Sequence, residues 1–227
     1  MVSTCLVTHL HSDHITDLND LVTSRWVMMP VNVPLRVIGP PGFVRWWTQC
    51  CDASPDQQYR HDHHDDLRAN GPLTVNVEEV QPGDSFSIGA VSARCMKPIT
   101  ASSPEHWLSV GARRQGGGVA GDTVPCDGVD EMCRNADAYV QTVIRHDLVS
   151  ALADALPNGG RMRDILNYHS SVEQAAQTAA RAGVKNLVLT HYVPPMAPDQ
   201  QDDWKAHATA HFDGPVILGP DLTSLEL

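Results

Sequence analysis

Phenylalanine and tyrosine are scarce, at three and four residues in a chain of 227, while histidine, at twelve, outnumbers the two together. A chain poor in aromatic packing residues and rich in imidazoles points to chemistry before it points to packing. No apolar run approaches the ~18 residues that a membrane helix needs, because Arg25, Pro30, Pro34 and Arg36 interrupt the most hydrophobic stretch. A helical membrane span is therefore excluded. No two of Cys5, Cys50, Cys51, Cys95, Cys126 and Cys133 stand at C-x-x-C spacing, which excludes a zinc ribbon and a dithiol redox motif. The opening residues carry no basic-then-apolar leader, so the expected setting is the cytoplasm, with reduced thiols that mostly fill the core. Basic residues are few: Lys plus Arg number 16 against 27 Asp plus Glu, a formal net charge of −11. That balance works against non-specific binding to nucleic acid or anionic lipid, and any polyanion must be met locally. With 42% hydrophobic and 19% charged residues the composition is that of an ordinary globular protein, not a disordered chain, a collagen or a disulfide scaffold.

There is no internal repeat and no clear linker, so a single domain over 1–227 is expected. Cys5-Leu6-Val7 reads as a short buried strand running straight into Thr8-His9-Leu10-His11-Ser12-Asp13-His14. Ile15, Leu18, Leu21 and Val22 then recur at helical spacing, with Ser12 or Asp13 placed to cap the first turn. A strand at Val37-Ile38 ends in Gly39-Pro40-Pro41-Gly42, and 43–51 reads as a helix carrying Trp46 and Trp47. Residues 52–72 are polar and His-rich and read as a loop, including the run His61-Asp62-His63-His64-Asp65-Asp66, which is expected to be solvated rather than metal-binding. Strands follow at 73–80 and 86–93 across the turn Gln81-Pro82-Gly83-Asp84, then a short helix around 127–135, a strand at 138–144 and a loop at 157–163. His146, just after that last strand, is expected at the surface, though it could line a pocket. Ser170 or Ser171 opens a helix with Glu173 and Gln174 completing a capping box, and Gly183 closes it. A strand at 186–189, a helix at about 202–211 and a strand at 216–218 finish an alternating α/β pattern.

His9, His11, Asp13 and His14 fall within six residues on a strand-to-helix turn. Imidazoles two residues apart, followed by a carboxylate and a third imidazole, diverge to different sides and can serve two adjacent metal ions. Neutral imidazole and carboxylate suit Zn2+ best, with Mn2+ or Fe2+ as substitutes. Two such cations sharing a water make a hydrolase site.

Read as T-H-L-H-S-D-H-I-T-D, Thr8 to Asp17 resembles the H-x-H-x-D-H signature of the metallo-β-lactamase-fold hydrolases, and most of all their ribonuclease Z and arylsulfatase branch. The resemblance continues in order through Gly39-Pro40-Pro41-Gly42, Gly121-Asp122-Thr123, His169-Ser170-Ser171-Val172-Glu173-Gln174, Leu189-Thr190-His191 and His211-Phe212-Asp213-Gly214-Pro215-Val216. It implies an αββα sandwich in the α/β class. It also implies two zinc ions, the first held by His9 and His11, the second by Asp13, His14 and His191, with Asp122 bridging and the nucleophilic hydroxide between them. Asp13 and His169 take the catalytic roles, His169 as proton donor to the leaving oxygen.

Two departures from the family pattern stand out. The family places a further His ligand before G-D-T, usually followed by Pro, whereas no His precedes Pro98 or Pro104 here, and His106 is the only imidazole in that segment. His106 is therefore a contested ligand for the first metal. The family also carries several strands ahead of the H-x-H-x-D-H motif, whereas eight residues precede His9. An N-terminally truncated domain or a late-assigned start is the expectation, and a sheet lacking those strands would present edges for a partner, a second copy of the chain among them.

The activity expected from this resemblance is metal-dependent hydrolysis of a phosphodiester or sulfate ester. The family's tRNA-gripping arm lies between the absent His and G-D-T, and the roughly two dozen residues of 97–121 leave no room for it. Arg94, Lys97, Arg113 and Arg114 form the only local basic cluster, so a small anionic ester is favoured over tRNA, with Trp26 and Trp107 as a candidate apolar wall. The competing expectation is a degenerate, non-catalytic homologue that needs a partner chain.

Overall fold

Short apolar strands joined by amphipathic helices form a parallel sheet in the first of two units in a computed structural model of the chain, which describes residues 2–51, 55–96, 109–112 (backbone) and 116–226. The units span Met1–Gln81 and Pro82–Leu227.

In the first unit, β1 (Thr4–Leu6) leads through α1 (Ser12–Ile15) and α2 (Leu18–Met28) to β2 (Leu35–Gly39). The chain then runs through α3 (Phe43–Cys50), α4 (Pro55–His63) and α5 (Asp65–Asn70) to β3 (Val75–Glu79). The sheet has the order β1-β2-β3 and is parallel, with Cys5 opposite Val37 and Val37 opposite Val77. Val7, Ile15, Leu18, Val22, Leu35, Val37, Phe43 and Trp47 form its buried cluster. Gly39 is required there: a Cβ would stand 2.4 Å from the Phe43 ring. Gly42, at φ 91°, makes the left-handed step that opens α3, as the Gly-Pro-Pro-Gly turn predicts. Trp26 is buried and its indole N–H donates to the Gly71 carbonyl at 3.2 Å, so it is a packing residue and not a substrate wall. Trp107 lies outside the described residues.

Several expectations are corrected here. Ser12 and Asp13 do not cap one long helix. Two helices form, broken at Thr16–Asp17, with His11 at the first N-cap and no side-chain cap bond. The polar stretch expected as a loop is mostly helical, as α4 and α5. Arg60 to Asp56 at 2.8 Å and Gln58 to Asp62 at 2.9 Å support α4 at helical spacing, a local signal that the lack of an apolar face hides.

The second unit carries β4 (Ser85–Ile88), β5 (Val91–Met96), β6 (Ser109–Ala112), β7 (Gly117–Val119), α6 (Asp127–Cys133), β8 (Ala138–Ile144), α7 (His146–Ala155) and α8 (Gly159–Asp164). It ends with β9 (Ser170–Ser171), α9 (Val172–Ala182), β10 (Asn186–Val193), α10 (Gln201–Thr209) and β11 (Val216–Leu218). The sheet runs β11-β10-β8-β7-β6-β5-β4, with β9 against β8. Pairing is antiparallel from β4 to β7 and parallel from β7 to β11. The strand expected at 86–93 is a hairpin of β4 and β5, because Gly89 at φ 57° turns the chain. The loop expected at 157–163 contains α8.

Helix α9 is rich in alanine on its buried side, so Ala175, Ala176 and Ala179 sit fully buried beside Val143, Leu187 and Leu189. Its start is fixed as the sequence indicates: Gln174 N–H donates to Ser171 Oγ at 3.1 Å, Ser171 N–H donates to Gln174 Oε1 at 2.9 Å, and Gly183 closes it in the left-handed region. All six thiols are free. Burial pushes Cys51 up to about 11 and Cys95 up to about 12, which makes them core residues and not nucleophiles. Among the described residues no helix is long and apolar enough to cross a membrane.

Beyond β8, Arg145 is buried and carries a carboxylate on each side, Asp147 at 2.8 and 2.7 Å and Asp203 at 2.6 Å, with its guanidinium 5.6 Å from the Trp204 ring centre. The hydrogen bonds from Arg145 hold the Asp147 carboxyl down to about 2.

Replacing Ser171 with Ala removes one half of the capping box and should destabilise the protein by about 1 kcal/mol in urea unfolding. A depressed native carboxyl contributes stability above its unfolded value near 4 that is lost as the pH falls through about 2. The Asp147→Asn variant should therefore unfold more easily at neutral pH, yet lose less stability than the wild type between pH 5 and pH 2. Thermal melts across that range check both statements, and the effect is modest because the Asp147 side chain is 56% exposed.

Candidate metal centre

In the first unit the pairing of β1 with β2 ends as Val7 N–H donates to the Ile38 carbonyl at 2.8 Å, and the chain stays extended until α1 begins at Ser12. The single turn of α1 folds Asp13 and His14 back toward the residues before it, with His14 N–H donating to the His11 carbonyl at 3.0 Å. The result is an imidazole cluster. The His9 ring lies 4.6 Å from that of His11 and 4.1 Å from that of His14, and Asp13 Oδ2 is 3.5 Å from His14 Nε2. His9 is buried, and the Thr8 hydroxyl stands 3.0 Å from its Nδ1, which directs the Nε2 edge to any ligand.

In the second unit the Gly121-Asp122-Thr123 turn leaves β7 and is pinned by polar side chains of β8. Gln141 Nε2 and Thr142 Oγ1 donate to the Gly121 carbonyl at 3.2 and 3.0 Å, the Tyr139 hydroxyl is hydrogen-bonded to Gln141 Oε1, and Ser170 Oγ donates to the Thr123 carbonyl at 2.6 Å. These bonds set Asp122, 1% exposed, with Oδ2 at 3.1 Å from His169 Nε2 and Oδ1 at 4.0 Å from His191 Nδ1. The rings of His169 and His191 are near parallel, 6.0 Å apart.

His169 follows a 3-10 turn at Ile165–Asn167, and its Nδ1 is 2.8 Å from the Ile165 carbonyl. A carbonyl only accepts, so Nδ1 carries the proton, and Nε2 can then donate to Asp122 only when the ring holds both protons. His191 sits at an irregularity of β10, where the register with β8 slips between Thr190 and Val193, and it takes φ 53°. A left-handed histidine at a bulge is a strained position that re-aims a side chain, and such positions concentrate at functional sites.

The structure thus gathers His9, His11, Asp13 and His14 in one unit, and Asp122, His169 and His191 in the other. His106 lies outside the described residues. His146 opens α7, half-buried, and the His61–Asp66 run lies along α4 and α5. The clamp formed by Gln141, Thr142 and Ser170 was not foreseen, although two polar residues inside an otherwise apolar strand are a legible sign of it. Both donor sets, imidazoles with a carboxylate and a buried carboxylate facing imidazoles, are of the kind that holds zinc.

A family model described as a beta-lactamase superfamily domain matches residues 2–192. A ribonuclease Z from Mycolicibacterium gilvum (strain PYR-GCK) is 45% identical over 237 residues, covering 100% of this chain and 78% of that protein. A putative ribonuclease Z from Mycobacterium tuberculosis (strain CDC 1551 / Oshkosh) is 40% identical, covering 98% of each. Among solved structures, the metallo-beta-lactamase fold protein YhfI from Bacillus subtilis superposes with a TM-score of 0.66 at 17% identity, covering 96% of this chain and 74% of that one. The short form of human tRNase Z does so with a TM-score of 0.61 at 18% identity, covering 97% and 77%. The chain has the metallo-β-lactamase fold and belongs to the ribonuclease Z family of metal-dependent hydrolases.

Proposed function

We propose that the protein is a phosphodiesterase that cuts RNA, with His9, His11, Asp13 and His14 of the first unit and Asp122 and His191 of the second as the residues that would hold divalent metal. The observation that carries this reading is Asp122 itself, a buried carboxylate held by a polar clamp against His169 and His191, in a chain 45% identical to a ribonuclease Z. Divalent cations held there, zinc with manganese or iron as substitutes, would supply Lewis acidity and a more acidic water.

The chain's own residues do the rest. Asp13, the most exposed of the set, aligns the donor cluster of the H-x-H-x-D-H turn from its place beside His14. The Ile165 carbonyl holds Nδ1–H of His169, so its Nε2 proton is the one delivered to the leaving oxygen as the phosphorus–oxygen bond breaks and water's oxygen takes its place on phosphorus. Gln141 and Thr142 keep Asp122 from moving as charge develops. The relatives' names favour RNA as the substrate, and the six free thiols favour a cytoplasmic setting. A net charge of −11 favours the second reading, a small anionic ester such as an aryl sulfate.

Hydrolysis of a 5′-labelled precursor tRNA, methyl p-nitrophenyl phosphate and p-nitrophenyl sulfate by the zinc-loaded protein separates these readings. RNA cleavage and phosphodiester turnover with an inert sulfate is the expected result. Sulfate turnover with intact RNA supports the small-ester reading, and no turnover of any substrate overturns catalysis. His169→Ala should lower kcat by roughly 100-fold or more while the metal content stays that of the wild type.

A further inference from the structure

Beside His191 the second unit opens a cavity of about 720 Å³, formed where the irregular end of β10 passes into the Pro-rich segment before α10 and meets the chain that follows β11. Its volume is in the range of small-molecule sites. Its wall is rigid on one side: the Tyr192 hydroxyl donates to the Leu189 carbonyl at 2.6 Å and accepts the Gly219 N–H at 2.8 Å, while its ring meets Trp204 edge-on at 5.3 Å. Pro195 and Met196 present flat or polarizable apolar surface, and Gln201 and Asp221 present the polar edge. Among the described residues no Lys or Arg lines it.

That lining is selective in its chemistry. A cavity without a cation, carrying a carboxylate, disfavours a phosphate. Apolar faces with an amide and a carboxylate at the rim match a flat heteroaromatic ring, with stacking on its faces and hydrogen bonds along its edge. A carboxylate only accepts, so Asp221 favours a ring edge that donates, such as the exocyclic amino group of cytosine, over the carbonyl that uracil presents at the same ring position.

We infer that this cavity is the subsite for a nucleobase adjoining the scissile phosphate, with Met196 as a stacking residue and Asp221 as the residue that prefers cytosine's amino edge to uracil's carbonyl edge. The inference rests on the RNA phosphodiesterase reading and sharpens it. It also answers how so acidic a chain holds a polyanion: part of the binding is taken from the uncharged base instead of from the phosphates.

Equilibrium titration of the full, zinc-loaded chain with cytidine 5′-monophosphate, uridine 5′-monophosphate and ribose 5-phosphate tests it without catalysis. The cytidine nucleotide should bind about tenfold more tightly than ribose 5-phosphate, and Met196→Ala should remove most of that gain. It should exceed the uridine nucleotide about fivefold, and Asp221→Asn, at an exposed position where the fold is not at stake, should abolish the difference because an amide also donates. Equal binding of cytidine 5′-monophosphate and ribose 5-phosphate overturns the subsite. Equal binding by a protein that still cleaves RNA leaves the RNA reading in place. Failure to cleave RNA overturns that reading and the subsite with it.

Discussion

A carboxylate that is 1% exposed is the constraint around which the second unit is arranged. An ionised group removed from water costs far more than folding can absorb unless positive charge or strong donors replace the solvent. Asp122 has His169 on one oxygen and His191 toward the other, and both histidines are held in place by the surrounding backbone, one by the Ile165 carbonyl and one by a left-handed bulge. The fold spends regular structure to achieve this. Strand β8, the buried spine of the sheet, gives up two inward positions to Gln141 and Thr142 so that the Gly121 carbonyl, and with it Asp122, cannot drift.

The same economy explains the neighbouring elements. Ser170 and Ser171 are adjacent but have different tasks, the first tying β9 to the Thr123 carbonyl and the second capping α9. The alanine face of α9 lets that helix lie close on the sheet, so that His169, two residues before its cap, is set by the packing of a whole helix and not by a mobile loop. In the first unit the H-x-H-x-D-H turn follows a different route to order: a parallel strand pair ends abruptly, and one turn of helix folds the later donors onto the earlier ones.

What could be read from the sequence follows from how local each signal is. The H-x-H-x-D-H turn, the capping box of α9 and the strand at Ala138–Ile144 are written in contiguous residues, and each is present. Helix α4 was hidden because it is stabilised by polar pairs four residues apart and buries no residue, so hydrophobic periodicity is silent. The β4–β5 hairpin was hidden by a single left-handed glycine inside an apolar run. The clamp on Asp122 depends on contacts about twenty residues apart in sequence, Gln141 and Thr142 to Gly121, which no local pattern carries. Arg145 is half such a case: Asp147 is two residues away, but Asp203 lies 58 residues further on, in α10.

The central proposal is that Asp122 is a metal ligand. Metal content of the purified, zinc-reconstituted chain, read by inductively coupled plasma mass spectrometry, tests it most directly. Bound zinc in the wild-type chain and a lower zinc content in Asp122→Ala are the predicted results, since alanine offers no donor in place of the buried carboxylate. Retention of the wild-type zinc content by Asp122→Ala would contradict the account.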